Sequence, residues 1–264
     1  YPLIHPAPMR FDFLSELTGT FDVPNNKWSL NELSLNWDEM PLTLSGSGDF
    51  QGKLDVSSTI EPGTVAKVKA YLPYSIMKPK LKNWLRSALM EGNEIKGAFF
   101  FKGDFNDYPF KTGSTEFGGS AQLSNATIKF DKQWPQLEKL KAQLEWSNFD
   151  LSIKADKAQL SNAIQAKAVN VKVGPLNSRD IAVEFSAQAQ SDSRDAINYL
   201  LNGPLPKKLG VDDFLQDSQK VDLTGGVEVG LQHVWIPVSG FKNKRVLVDG
   251  TVKFKQANLT LFDT

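Results

Sequence analysis

The chain contains no cysteine among its 264 residues. Disulfide bridges, thiolate metal sites and cysteine nucleophiles are therefore excluded. It has only two histidines, His5 and His233, and no second histidine or carboxylate stands at a metal-ligand spacing from either. We therefore expect no metal and no cofactor. His233 falls on the same parity as Val227 and Val229, which predicts a structural histidine on the apolar side of a strand.

An excess of charge of either sign is also missing. The 30 Lys and Arg residues balance the 30 Asp and Glu residues, and the formal net charge is zero. Proteins that bind nucleic acid normally carry a basic excess or a clustered basic stripe. The densest basic runs, 207–208 and 242–245, are short. The composition therefore argues against a nucleic-acid partner.

Long apolar runs and catalytic motifs are absent as well. No window approaches the roughly 18 consecutive apolar residues of a membrane-spanning helix. The glycine-rich stretch 46–53 fails the phosphate-loop pattern, because serine stands at position 47 where the first glycine is required. No G-x-S-x-G motif occurs. We expect no enzyme and no catalytic residue. The start at Tyr1 and the end within an alternating pattern favour a segment of a longer protein.

Alternation of apolar and polar residues is what the chain has in abundance. It runs through 42–56 and 95–105, and this period of two indicates β-strands with one apolar face. We interpret 46–53 as part of one strand with room on one face, and 66–70 as a strand end. A shift of phase near Asn31 indicates a bulge or a turn, and the alternation shifts phase again at Ala168. The pattern predicts a mainly β chain of roughly a dozen or more strands.

Two amphipathic segments interrupt the strands. Apolar residues at helical spacing between Pro79 and Gly92 predict a helix near 79–91, and a second such pattern predicts a helix near 193–202. A third short helix is plausible at 212–217. We interpret 1–264 as a single elongated β unit with weak repeats at about 27–92 and 134–205.

The apolar strand faces are too extensive to stay in water. The sheet therefore packs on a second sheet, closes on itself or curls into a groove that takes acyl chains. The pattern leaves these arrangements open.

Three passages carry a resemblance to a known family. The first, 72–110, is built around Leu72-Pro73, Trp84-Leu85 and Phe101; the second, 134–144, opens on Trp134-Pro135; the third, 199–205, contains Gly203-Pro204. Together they resemble the AsmA-like superfamily of Gram-negative envelope proteins, most closely the YhdP-type proteins.

The resemblance implies an elongated, curled antiparallel β-sheet that forms a hydrophobic groove, a repeating β-taco, with two or three short amphipathic helices. It implies a central fragment of a periplasmic protein anchored in the inner membrane by parts outside this chain. Such bridge-like lipid transfer proteins carry phospholipid between the inner and outer membranes and serve outer membrane biogenesis.

On this hypothesis one set of residues lines the lipid groove and another covers it. The alternative is that the lining residues are the core of a closed β-sandwich or solenoid, a scaffold or interaction module of the cell envelope with no lipid channel. The predicted lining residues are Phe99, Phe101, Phe105, Leu144, Trp146, Leu151, Ile153, Val183, Phe185, Val227 and Val229, and the covering helix contributes Trp84, Leu85 and Leu89.

Overall fold

The computed structural model describes most of the chain. The described residues are 11–13, 17–37, 39–70, 72, 74, 79–92, 94–110, 113–129, 136–161, 163–203, 221–242 and 245–261. Trp134-Pro135, which opens the second passage of the resemblance, and the predicted helix at 212–217 lie outside them. The chain divides into two compact units. Unit 1 comprises 1–86, 91–124 and 143–148, and unit 2 comprises 87–90, 125–142 and 149–264.

Strands dominate the described residues and helices are few, which confirms the predicted mainly β class. The strands are β1 (Phe11–Phe13), β2 (Thr18–Asp22), β3 (Lys27–Trp37), β4 (Met40–Asp49), β5 (Lys53–Gly63), β6 (Leu89–Glu91), β7 (Glu94–Asp104), β8 (Glu116–Ile128), β9 (Leu137–Ser147), β10 (Asp150–Gln159), β11 (Gln165–Gly174), β12 (Ile181–Asp192), β13 (Val221–Ser239) and β14 (Leu247–Leu261). The α-helices are α1 (Val65–Ala70), α2 (Pro79–Ala88) and α3 (Ser193–Leu201).

Strands pair with their neighbours along the chain. In unit 1 the hydrogen-bonded order is β1-β3-β4-β5-β7-β8, and β2 also pairs with β3. In unit 2 the order is β9-β10-β11-β12-β13-β14, where β9 contributes residues 137–142 and its residues 143–147 belong to unit 1. The registered pairs in both units are antiparallel, as predicted. Helices α1 and α2 lie in the connection between β5 and β7.

Both phase shifts of the sequence correspond to bulges in the structure, which decides for the bulge near Asn31. On β3, Leu30 pairs with Gly46 and Leu33 pairs with Leu44, so β3 carries one extra residue there. On β11 the register shifts between Lys167 and Asn170, and Ala168 between them has a φ of 52°. Each extra residue returns the following apolar side chains to the face that they would otherwise leave.

The predicted continuous strand through 46–53 is wrong, because the chain turns there. Oδ1 of Asp49 accepts hydrogen bonds from the backbone N–H groups of Gln51, Gly52 and Lys53, at 2.9, 2.8 and 2.9 Å. Gly52 has a φ of +126°, which favours glycine. The turn pairs Gly48 with Leu54, and antiparallel partners share a face. The alternation therefore crosses the turn without a change of phase.

The predicted strand end at 66–70 is also wrong, since these residues form α1. Thr64 begins the helix: its Oγ1 accepts from the N–H of Lys67 at 3.2 Å, and its carbonyl accepts from the N–H of Val68 at 3.1 Å. Val65 is buried at the first helical position. Alternation over six residues is too short to separate a strand from a short helix.

Each unit has its own buried apolar residues. In unit 1, Leu33, Leu35 and Leu42 form a cluster with Leu30, Leu44 and Ile60 packed against it. In unit 2, Val227 and Val234 of β13 are buried, and α3 packs against β12 and β13. The Oγ of Ser193, the first residue of α3, donates to the carbonyl of Gly225 at 2.9 Å and fixes the start of the helix on β13.

His233 does not share a face with Val227 and Val229, so its predicted position on the apolar side is wrong. The register of β13 against β14 shifts between Leu231 and His233, which turns the histidine outward. Its side chain is 54% exposed, and Nε2 lies 3.9 Å from Oε2 of Glu184.

Candidate functional site

The apolar face of unit 1 is formed by one side of four neighbouring strands. Directly paired residues of antiparallel strands lie on the same side of the sheet, so the register of the strands identifies the residues of the apolar face. One row across the face is Leu44, Ser58, Phe99 and Gly119. The whole face comprises Leu42, Leu44, Gly46 and Gly48 of β4, Leu54, Val56, Ser58 and Ile60 of β5, Ile95, Gly97, Phe99, Phe101 and Gly103 of β7, and Phe117, Gly119, Ala121 and Leu123 of β8.

The opposite side of the same strands is polar. The hydroxyl groups of Thr43 and Thr59 are hydrogen-bonded across β4 and β5, and those of Ser45 and Ser57 lie 3.2 Å apart. Lys102 Nζ lies 3.6 Å from Oδ2 of Asp55. The sheet of unit 1 is therefore two-sided, with one polar side suited to water and one apolar side.

Glycines on the apolar face lie under large side chains. A Cβ atom at Gly48 would stand 2.9 Å from Cζ2 of Trp28, and a Cβ atom at Gly119 would stand 2.5 Å from Cζ2 of Trp146. The room predicted on the face of the glycine-rich strand is therefore occupied, at Gly48, by the Trp28 indole. At both positions an indole ring occupies the space that a side chain would take.

A concavity of about 490 Å³ crosses the middle of unit 1. Its lining includes Leu44, Ser58, Phe99, Gly119 and Trp146 of the apolar face, and also Glu32, Thr43, Ser45, Ser57, Thr59, Ala98, Phe100 and Ser120 of the opposite side. The volume lies in the range of small-molecule sites in proteins, roughly 300–1,000 Å³. The lining is therefore mixed and does not belong to the apolar face alone.

An aromatic cluster stands at one end of these strands, made of Phe101, Phe105, Tyr108, Phe110 and Phe117. The ring of Phe110 is its centre, with centroids 5.5 Å from Phe101, 5.5 Å from Tyr108 and 5.6 Å from Phe117. Phe105 and Tyr108 remain 38% and 52% exposed. The cluster gives this end of unit 1 an apolar surface that water still reaches.

The predicted lining residues of unit 1 lie in three places, on β7, in the turn after it and on β9. Phe99 and Phe101 lie on the apolar face of β7, as the alternation implied. Phe105 begins a 3-10 turn, Phe105–Asp107, because the side chain of Asp104 accepts from the N–H of Asn106 and ends the strand. Phe105 nevertheless packs on Phe101, with ring centroids 5.7 Å apart. Leu144 and Trp146 lie on β9 and are half-buried.

The predicted lining residues of unit 2 share one face of β10, β12 and β13. Ile153 and Phe185 both pair with Val171 of β11, and Leu151 and Val183 both pair with Val173. Val227 and Val229 continue this face, which is called the apolar face of unit 2 below, next to β12. Val227 is buried, and the other members are half-buried.

The other side of unit 2 is polar, as in unit 1. Glu228 of β13 accepts hydrogen bonds from Lys255 Nζ at 2.5 Å and from Gln190 Nε2 at 2.8 Å. These contacts, the one from Lys255 first, lower the pKa of the Glu228 carboxyl. The charged groups therefore stand apart from the apolar face of unit 2.

The predicted covering helix is placed only in part. Leu85 of α2 is half-buried. The side chains of Trp84 and Leu89 lie outside the described residues, and Leu89 belongs to β6 because α2 ends at Ala88. Their covering role stays a prediction.

Ser58 is a member of the apolar face of unit 1 that the sequence interpretation missed. It is 3% exposed, and its Oγ has no hydrogen-bonding partner in the protein. Among the described residues of this face it has the only polar side chain. The signal in the sequence is slight: serine stands between Val56 and Ile60 where the alternation calls for an apolar residue.

Neither a metal cluster nor a membrane helix is found in the described ranges. No three His, Asp or Glu residues there are grouped so that they could hold a metal ion. No helix of this part of the chain has both the length and the hydropathy needed to cross a bilayer.

Comparison with known proteins gives a consistent result. The family model described as "YhdP protein" matches residues 4–264. The protein named "Intermembrane phospholipid transporter YhdP" of Escherichia coli (strain K12) is 24% identical over 170 residues, which cover 64% of this chain and 13% of that protein. The matched part of the chain thus spans about an eighth of the length of this relative. No solved structure matches the chain.

Proposed function

The chain belongs to the YhdP family, and from this premise we propose that it is a segment of a protein that carries phospholipid between the inner and outer membranes of a Gram-negative bacterium. In this proposal the acyl chains lie on the apolar faces of the two units, and the head groups stay in the water of the periplasm. Parts of the protein outside this segment anchor it in the inner membrane. The segment carries lipid and performs no catalysis.

The observation that carries the proposal is the makeup of the apolar face of unit 1. It is apolar over four strands except at Ser58, and Phe99 on it is still 37% exposed. An acyl chain placed there leaves water at roughly 0.8 kcal/mol per buried CH₂ group. Because such contacts have no direction, neighbouring positions along the face are similar in energy and a chain slides between them.

In this proposal the residues that line the lipid groove are those predicted from the sequence. Phe99, Phe101, Phe105, Leu144 and Trp146 contact lipid in unit 1. In unit 2 the lining consists of Leu151, Ile153, Val183, Phe185, Val227 and Val229. Trp84, Leu85 and Leu89 cover part of the lipid. We also propose that 27–92 and 134–205 are related repeats, since α2 and α3 each follow a run of strands.

Lipid analysis of the gently purified protein tests the proposal. We expect phospholipid to co-purify in stoichiometric amount and to be detected by mass spectrometry of the extract. A folded protein without lipid would contradict the proposal and favour a scaffold in the cell envelope.

A pair of charge substitutions sharpens the test. Phe99→Asp places a carboxylate on the apolar face, and the exposed position lets it stay hydrated, so the fold should persist while bound lipid falls several-fold. Gln122→Asp is the matched control, because Gln122 is exposed, pairs with Lys96 on the polar side and does not line the concavity. Equal lipid content in the two variants would contradict lipid binding on this face.

A further inference from the structure

We propose that the aromatic cluster of unit 1, together with the carboxylates of Asp104 and Asp107, binds the ammonium group of a phospholipid head group. This inference rests on the proposed function, and it adds a preference among lipids to a face that by itself contacts only their tails. The favoured lipids are those whose head group ends in a positively charged amine.

The aromatic cluster is continuous with the apolar face of unit 1. Phe101 and Phe117 are direct partners on that face. The rings of both contact Phe110, with centroids 5.5 and 5.6 Å away, and the ring of Phe105 lies 6.1 Å from the same ring. A lipid whose tail lies on the face beside Phe101 and Phe117 therefore brings its head group to the outer rings of the cluster.

The outer rings are open to a ligand. Phe105 is 38% exposed and Tyr108 is 52% exposed. Phe50, in the neighbouring turn between β4 and β5, is 56% exposed as well. The face of an aromatic ring is electrostatically negative, so it attracts an ammonium group that lies over it. The accessible ring surface is thus a place where the cationic end of a head group gains a contact.

The segment that carries these rings is held in place. Asn106 Nδ2 donates to the carbonyl of Gln51 at 2.6 Å, and the N–H of Phe105 donates to the carbonyl of Gly52 at 2.9 Å. Phe110 has a φ of 58°, in the left-handed region that bulky residues rarely adopt. Such strained residues persist only where the surrounding structure holds them, and they are frequent at ligand sites. The rings are therefore presented in a fixed arrangement.

Two carboxylates stand on either side of Phe105 in the chain. Asp104 and Asp107 are both half-buried. Oδ1 of Asp104 accepts from the N–H of Asn106 at 2.8 Å, and Oδ2 of Asp107 accepts from Oγ of Ser114 at 2.9 Å. Within the part of the chain that the structure describes, neither carboxylate forms an ion pair. Their negative charges are therefore available to a cation.

Charge complementarity selects the part of the lipid that meets this site. The phosphate group, which every phospholipid has, is repelled by the carboxylates, and the acyl tails carry no charge. The amine of an ethanolamine or choline head group is the cationic part, and it lies just beyond the phosphate at the polar end of the molecule. Aromatic faces beside carboxylates favour such an ammonium group. A glycerol head group offers no equivalent contact.

Two phospholipids with the same tails and different head groups test the inference. The purified protein is loaded with a phospholipid that has a fluorescent label in one tail, which is then displaced by dioleoyl phosphatidylethanolamine or dioleoyl phosphatidylglycerol. We expect the native protein to favour the ethanolamine lipid by about 3- to 10-fold, since an exposed cation–π contact and an exposed ion pair are each modest.

The variants of this experiment change charge and keep the turn. Asp104→Asn combined with Asp107→Asn leaves an oxygen acceptor at each position, so the fold should persist while the preference falls to about one. Glu94→Gln is the control, because it removes one exposed carboxylate at the other end of β7 and should keep the native preference.

A second measurement reports the rings directly. In dioleoyl phosphatidylcholine with ¹³C-labelled N-methyl groups, the NMR signal of the lipid bound to the native protein should shift upfield through the ring currents of the cluster. Phe105→Leu combined with Tyr108→Leu keeps the apolar surface, removes the two exposed rings and should abolish the shift.

The outcomes separate this inference from the proposed function. An equal preference in the native protein and the Asp104/Asp107 variant, or a choline signal without an upfield shift, would overturn the head-group site and leave lipid binding intact. A lysine-rich peptide that binds the native protein and not this variant, with no lipid preference, would assign the site to a basic protein partner instead. Failure of the native protein to take up the labelled lipid would overturn the proposed function as well.

Discussion

The indole ring of Trp146 lies directly over Gly119, so that Cζ2 and Cη2 stand 2.5 and 2.7 Å from the point where a Cβ atom would be. The backbone oxygen of Ala98 on the neighbouring strand lies against the same point. A side chain at Gly119 therefore has no room, and the glycine leaves this space to the Trp146 indole.

Gly119→Ala should therefore destabilise the protein by about 1–3 kcal/mol, the usual cost of an overpacked site. The free energy of unfolding in urea measures it, and Trp146 fluorescence should change in the folded state. Gly226→Ala is the control, because its Cβ atom would meet only Lys255 at an ordinary 3.6 Å. Equal loss in both variants would show that Trp146 does not occupy the space above Gly119.

Leu35→Ala tests the buried cluster of unit 1. Leu35 is 7% exposed and pairs with Phe13 and Leu42. Truncation should lower the free energy of unfolding by about 2–5 kcal/mol through lost burial and a residual cavity. Leu17→Ala makes the same change at a residue that is 51% exposed and should have little effect. A small loss at Leu35 would mean that this cluster is not a core.

Asp49→Ala should weaken the turn between β4 and β5, because three N–H groups lose their acceptor. Hydrogen bonds from these N–H groups, that of Lys53 first, hold the pKa of Asp49 below its ordinary value of 3.8. A lowered pKa contributes stability above the unfolded value, and this contribution disappears as the pH falls through the folded value.

The urea midpoint measured at pH 7 and near pH 3 checks this. The native protein should lose more stability in acid than Asp49→Asn, which keeps an oxygen acceptor and has no charge to titrate. Identical acid losses would contradict a role for the ionised carboxylate.

Tyr199→Phe should change the response to alkali. Burial on α3 raises the pKa of the Tyr199 hydroxyl to about 12, from 10.0. Because the folded pKa is the higher one, the contribution to stability is complete below pH 10 and is lost as the pH rises toward 12. The native protein should therefore lose more stability over this interval than Tyr199→Phe. The exposed Tyr108→Phe controls for loss of a phenol, and an unchanged alkaline loss in Tyr199→Phe would contradict the prediction.

Local irregularities were predictable where they shift the phase of the alternation. The bulges near Leu30 and at Ala168 each move the apolar residues by one position, and that shift is visible without a structure. The turn at Asp49 leaves no such trace, since Gly48 and Leu54 are partners on one face and the alternation continues through it. The alternation of apolar and polar residues therefore reveals an extra residue in a strand, but it gives no sign of a turn between two strands.

The character of the apolar face was predictable, but its single exception was not. Phe99 and Phe101 were found from alternation alone. Ser58 resembles the neighbouring Ser57 in sequence, and it differs only because Leu44 and Phe99, which are distant along the chain, bury it. The contact of Trp146 with Gly119 likewise depends on the pairing of two strands, which a single strand pattern does not specify.

The pairing of strands in chain order has a consequence for how the protein forms. In each unit a strand pairs with a strand that follows soon after it in the chain, so the loops that must close are short. The relative contact order is therefore low for an all-β protein. Among the described strands, the longest connection in unit 1 is the one between β5 and β7, which holds α1 and α2. This order favours folding in sequence from the N-terminus, with each new strand covering the hydrogen-bonding edge left by the one before.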